Sequence, residues 1–168
     1  MRFRFITQFY LSFSQFFAMI WAFPGMRKRV LLFEPLQADQ QAFRDAVHEC
    51  QLDVELIIAG TLTETMAYLS GADFFRDRYS FPLPDFCVLN VNDINGGGFA
   101  LLRWIRADVA LHNIKVLAFA ERSQRSTTQQ AYDLPFDAVL LKPFSSPDIL
   151  NAFYVAIQTV PLPDSAPG

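Results

Sequence analysis

Five polar residues of types that can bind or react each stand where an apolar, strand-like run gives out. Glu34 follows Val-Leu-Leu-Phe33, Asn90, Asn92 and Asp93 close the run Phe86 to Val91, and Lys142 follows Phe136 to Leu141. Ala120 ends a further run, Ile114 to Ala120. The carboxyl edge of a parallel sheet is where open α/β folds bind ligands, so Glu34, Asn90, Ala120 and Lys142 mark the candidate functional edge. Plainer roles exist for each. Glu34 can be an ordinary strand-end carboxylate, Lys142 can bridge to Glu34 or to the Asn90 side-chain oxygen, and Asp93 can be a solvated turn carboxylate. Gly96-Gly97-Gly98 could turn backbone amides toward an anion ahead of a helix, but no P-loop lysine accompanies it. His48 and His112 lie apart with neither triad nor metal spacing, and no nucleophile and base form a recognisable pair.

Composition narrows the classes. One hundred and sixty-eight residues, 52% apolar and 18% charged, are enough for one domain with a full core. A net charge of -3, with no basic run longer than Arg27-Lys28-Arg29, argues against a nucleic-acid surface. Cys50 and Cys87 show no CxxC or Cys/His spacing, so both read as reduced core thiols in a cytoplasmic setting.

Residues 1–25 form a distinct hydrophobic, aromatic-rich extension. They hold seven of the eighteen phenylalanines, and residues 5–26 carry no charge. That length could span a bilayer. On a helical wheel Thr7, Gln8, Ser12, Ser14 and Gln15 share one side while Phe5, Ile6, Phe9, Phe13, Phe16 and Ile20 share the other, which also fits an interfacial helix. No A-x-A site follows, so a secretory signal fits poorly. Three readings stay open: an extension upstream of a working start at Met26, a membrane-associated segment through residues 5–25, and a helix packed on the domain.

The elements that position the edge follow in order. Arg29 to Phe33 reads as a strand closed by Glu34-Pro35. Ala38 to Cys50 reads as a helix with Ala42, Phe43, Ala46, Val47 and Cys50 on its apolar face and Asp39, Arg44, Asp45 and Glu49 largely opposite. Asp53 to Ala59 is a second strand. Thr61 and Glu64 form a capping box for a short helix that Gly71 stops. The loop 72–84 carries Phe74, Phe75, Tyr79 and Phe81, and reads either as a binding surface or lid or as aromatics tucked onto the domain. The central strand, buried on both faces, is followed by a helix from Gly98 to Arg106. Ser123 to Tyr132 is polar and weakly helical, and should be the least firmly packed helix. Ser146 and Pro147 read as cap and first residue of a last helix through Ile157. The domain thus spans residues 26–158, and residues 159–168 have the composition of a disordered tail. Strand and helix alternate five times, which gives a parallel sheet covered on both faces.

In this order and spacing, VLLFEP, PDFCVLNVNDINGGGF and VLLKPF resemble the receiver domain of two-component response regulators. RWIRADVALHNIKVLAFA resembles the family's third helix and fourth strand, and the loop before Pro84 resembles the free-standing, phytochrome-associated subgroup. The resemblance covers Val30 to about Ile157. It implies a flavodoxin-like receiver fold with a five-stranded parallel sheet in the order 2-1-3-4-5, and a single-domain signalling protein of the phosphorelay type. Partners implied are proteins, a histidine kinase or another phosphorelay component, with a homodimer as an open alternative and no nucleic acid.

The family's chemistry requires an aspartate at the end of the third strand, acidic residues after the first that help it hold Mg2+, a Thr or Ser after the fourth, and a lysine after the fifth. Here Asn90 stands at the acceptor position, and an amide lacks the charge and nucleophilicity to form an acyl phosphate. Of the acidic cluster Glu34 is evident, Ala120 occupies the Thr/Ser position, Val139 stands where a switch aromatic is usual, and Lys142 is retained. The expectation is a non-enzymatic pseudo-receiver with no cofactor beyond weak Mg2+ at Glu34, Asn90 and Asn92. The competing expectation is a receiver still phosphorylated at a substitute residue such as Asp93.

Overall fold

The computed structural model describes residues 27–159; the aromatic extension and the tail from residue 160 lie outside the described residues. Five parallel strands, β1 (Lys28–Phe33), β2 (Val54–Ala59), β3 (Phe86–Asn90), β4 (Lys115–Glu121) and β5 (Ala138–Lys142), are ordered β2-β1-β3-β4-β5. Helices α1 (Gln37–Glu49), α2 (Leu62–Ser70), α3 (Gly97–Ala107), α4 (Arg125–Asp133) and α5 (Ser146–Gln158) connect or follow them. The strands are parallel, as the alternation predicts, and the order is that of a flavodoxin-like sheet, as the resemblance implies. Every residue of β3 is buried, because helices cover both of its faces.

The two faces bury separate cores. On one, Val30, Leu32, Phe86, Val88 and Phe119 pack against Phe43 of α1 and Ile149 and Phe153 of α5. On the other, Leu31, Phe33, Cys87 and Leu89 meet Leu69 of α2 and Leu102 and Ile105 of α3. A smaller cluster joins Val91, Phe99, Ala118 and Ala120 to Ala131 of α4. Ala131 is the one buried residue of α4, which matches its polar sequence and makes it the most thinly anchored helix.

Local chemistry sets the element ends. Thr61 Oγ1 accepts from the Glu64 amide at 3.1 Å, and Glu64 reaches back to the Gly60 amide, one residue beyond the simple capping box. Gly71 closes α2 with φ 71°, a conformation that glycine adopts without penalty. Arg78 lies over it and donates to the carbonyls of Tyr68 and Leu69 at 2.7 and 2.6 Å, satisfying the helix's last acceptors. With Phe75 and Phe81 packed edge-to-face and the Tyr68 hydroxyl donating to Pro82 O at 2.9 Å, the loop is tucked onto the domain.

Several boundaries shift by a residue or two from the sequence reading, and two of the shifts have a clear side-chain cause. β5 begins at Ala138 rather than Phe136, because the Asp137 carboxylate takes the Val116 amide at 2.7 Å together with Arg106, while the Phe136 ring turns onto Phe99. The cap of α5 is Ser145, not Ser146: the amide and hydroxyl of Ser145 both donate to Asp148, at 2.8 and 2.7 Å. Ser146 instead donates to Glu49 at 2.5 Å and ties α5 to the end of α1.

The Ser145 hydroxyl, then its amide, hold the Asp148 carboxyl below the usual carboxylate range. A depressed folded value contributes stability above the ordinary carboxylate pKa of about 3.9, and that contribution is lost as pH falls through the folded value. Ser145→Ala is expected to cost about 1 kcal/mol at neutral pH and less in acid. Urea midpoints of both proteins across that range check it; a cost independent of pH would contradict the pairing.

Candidate functional site

β1 and β3 are neighbours in register, Phe33 opposite Leu89, so the residues that follow, Glu34 and Asn90, arrive side by side at the carboxyl edge. Glu34 has no exposed surface and Asn90 is 4% exposed, which forces every polar atom of the pair to find a partner. Asn90 Nδ2 donates to both Glu34 oxygens, each at 2.8 Å. Glu34 Oε1 also accepts from the Leu36 amide at 2.9 Å, and Oε2 accepts from Lys142 Nζ at 2.8 Å. Lys142, at the end of β5, is 9% exposed, reaches Asp39 Oδ2 at 2.5 Å, and lies 4.4 Å above the centre of the Phe119 ring.

A second chain of bonds continues from the amide oxygens. Asn90 Oδ1 accepts from the Asn92 amide at 2.7 Å, and Asn92 Oδ1 accepts from the Glu121 amide at 2.7 Å. Lys142 therefore bridges Glu34 and Asp39, and the Asn90 oxygen is spoken for within its own loop. Asn92 Nδ2 is buried with no hydrogen-bond partner. Asp93 accepts from the Gly97 amide at 3.1 Å, so it caps the start of α3 in a partly buried position, not as a solvated turn carboxylate. Gly98 is required by closeness: a Cβ there would lie 2.0 Å from the Asn90 carbonyl oxygen.

Ala120 is fully buried beside Ala118 and Ala131 and offers no hydroxyl to the edge. Val139 packs against the same cluster. His48 and His112 are exposed and far from this edge in sequence and topology. Burial pushes the Cys87 thiol well above its ordinary pKa, and that of Cys50 up as well, which leaves both as poor nucleophiles.

Sequence reasoning missed Asp39, placed among the outward residues of α1. Its signal was its position in the first turn of α1, five residues after Glu34, where a side chain overhangs the sheet edge. The donor set does not fit a hard divalent cation of the kind the resemblance implies. Both Glu34 oxygens and the side-chain oxygens of Asn90 and Asn92 already accept hydrogen bonds, so a cation would have to displace an ammonium, an amide NH2 and backbone amides. Among the described residues, no three His, Cys, Asp or Glu side chains gather as ligands.

No family model matches the chain. No curated protein matches it either. Among solved structures, the bacteriophytochrome response regulator RtBRR is 22% identical with a TM-score of 0.69, covering 84% of this chain and 85% of its own. The phosphorylated cyanobacterial phytochrome response regulator RcpA is 21% identical with a TM-score of 0.64, covering 82% of this chain and all (100%) of its own. The Mn(2+)-bound form of response regulator Rcp1 is 24% identical with a TM-score of 0.60, covering 81% and 99%. Strand order, helix placement and a carboxyl edge carrying Glu34, Asn90 and Lys142 together make this chain a flavodoxin-like receiver fold, shared with those response regulators.

Proposed function

We propose that the chain is a pseudo-receiver: a non-enzymatic module of two-component signalling that acts through protein-protein contact and independently of phosphorylation. The observation that carries this reading is the Asn90 amide donating to both oxygens of Glu34 while Lys142 closes the same carboxylate. In a receiver that switches, an acceptor carboxylate, a metal and a hydroxyl-bearing residue would respond to a phosphoryl group. Here an amide replaces the nucleophile, Ala120 replaces the hydroxyl, and the buried carboxylate of Glu34 is saturated by internal donors. RcpA is phosphorylated and Rcp1 binds Mn2+, so the same fold supports that chemistry where the residues permit it.

The partner class is a protein, a histidine kinase or another phosphorelay component, or a second copy of the chain. The acidic balance speaks against nucleic acid. Among the described residues no helix is long and apolar enough to cross a membrane. Intact mass before and after incubation with Mg2+ and a small phosphoryl donor tests the reading. The expected result is no phosphoryl adduct; an adduct on the unaltered chain would overturn it and move attention to Asp93.

A further inference from the structure

The loop between β3 and α3 holds a dipeptide with chemistry of its own. Asparagines stand at positions 90, 92, 95, 113 and 151, and of these Asn95 precedes a glycine. The side-chain oxygens of Asn90 and Asn92 are held by backbone amides, and Asn151 lies inside α5. Asn95 differs from them. It is exposed, its neighbour Ile94 is 99% exposed, and its side chain has no hydrogen-bond partner among the described residues.

Gly96 follows in the left-handed region at φ 66°, where a Cβ would meet no neighbouring heavy atom within 4 Å. The residue itself has no Cβ to hinder its nitrogen from approaching a carbonyl carbon. That nitrogen is held by one turn bond, donated to Asp93 O at 2.9 Å. A single turn bond at an exposed loop tip lies at the low end of local opening energies, so the amide is released repeatedly while the domain stays folded.

We propose that Asn95 is a site of spontaneous deamidation, so that the loop after β3 gains a carboxylate as the chain ages. The Gly96 nitrogen gives up its proton to base and bonds to Asn95 Cγ, and the side-chain nitrogen leaves as ammonia. Water then opens the five-membered imide. Breaking the new bond leaves aspartate, and breaking the main-chain bond leaves isoaspartate. One water is consumed and one ammonia released, with no change of oxidation state. The added charge lies beside Asp93 near the start of α3, where a helix amino terminus favours an anion. The seal on Glu34 is untouched, and the inference is independent of the pseudo-receiver reading.

The test incubates the full chain at neutral and mildly alkaline pH and follows each asparagine by peptide mass spectrometry, with isoaspartyl methyltransferase labelling to detect isoaspartate. Expected at Asn95 is the mass gain in which OH replaces NH2, at a rate proportional to hydroxide concentration and within about tenfold of that of a free peptide spanning residues 91–99. The asparagines at 90, 92, 113 and 151 should stay intact. Asn95→Gln, at an exposed and unpartnered position, should abolish the change, because its longer side chain would have to close a six-membered ring. Gly96→Ala should slow it in the peptide and in the chain alike, since the hindrance acts on the attacking nitrogen itself. The proposal is overturned by a rate in the folded chain more than about tenfold below that of the peptide, by a change seen only in urea, or by equal change at the other asparagines.

Discussion

Lys142→Met is expected to lower stability by about 3–5 kcal/mol, the range for removing one partner of a buried ion pair. The effect is large because Glu34 has no exposed surface, so removing Lys142 leaves a buried carboxyl group without its cation. The Asn90 and Leu36 donors remain, but neutral donors do not offset a full buried charge. The contact of Lys142 with the Phe119 face is lost as well, adding roughly 0.5–2 kcal/mol. The double variant Glu34→Gln with Lys142→Met should recover most of the loss, since it removes both charges together. Urea midpoints of the three proteins and the wild type check the cycle. A single-variant cost of about 1 kcal/mol or less is the behaviour of an exposed pair and would contradict the buried geometry.

Asn90→Asp is expected to destabilise the metal-free protein by about 2–3 kcal/mol, because two donated bonds to Glu34 become a contact between two carboxylates. The same change creates a site that a hard cation can occupy. Mg2+ at about one hundred times its dissociation constant would return about 2.7 kcal/mol to the variant. Wild type should show no metal-dependent shift in melting temperature at low millimolar Mg2+, its oxygens being engaged already. The variant should bind metal without switching, since Ala120 still offers no hydroxyl to a phosphoryl group. Melting curves with and without Mg2+, together with oligomeric state in the presence of a phosphoryl donor, decide it. Equal metal shifts in both proteins would show that Asn90 does not control the edge.

The strands were legible because a parallel sheet covered on both faces leaves near-continuous apolar runs such as Phe86 to Leu89. Asn90, Glu34 and Lys142 were legible for the same reason, each being the first polar residue at the end of such a run. Asp39 was not. A helical wheel sorts side chains by angle around the axis, whereas Asp39 reaches Lys142 because the first turn of α1 overhangs the edge. The shift from Ser146 to Ser145 has a similar origin: two adjacent serines satisfy the same cap pattern, and Glu49, distant in sequence, claims one of them. Phe136 looked like strand because it is aromatic, but the side chain of Asp137 enters the ladder there and displaces it. The closure of loop 72–84 depended on Arg78 reaching back to the carbonyls of Tyr68 and Leu69, a side-chain pairing with no periodic trace in sequence.

The doubly bonded Asn90 amide also bears on what kind of message such a module can carry. A receiver with a reactive aspartate reports through the fraction of copies in one of two forms, and that fraction can change within the lifetime of each molecule. On the pseudo-receiver reading, a chain whose Glu34 is sealed by Asn90 and Lys142 has one form. On that reading its signal is then its abundance: each copy occupies a partner's receiver-binding face or leaves it vacant. The response is set by how fast the chain is made and removed, and it stays insensitive to the supply of phosphoryl donors.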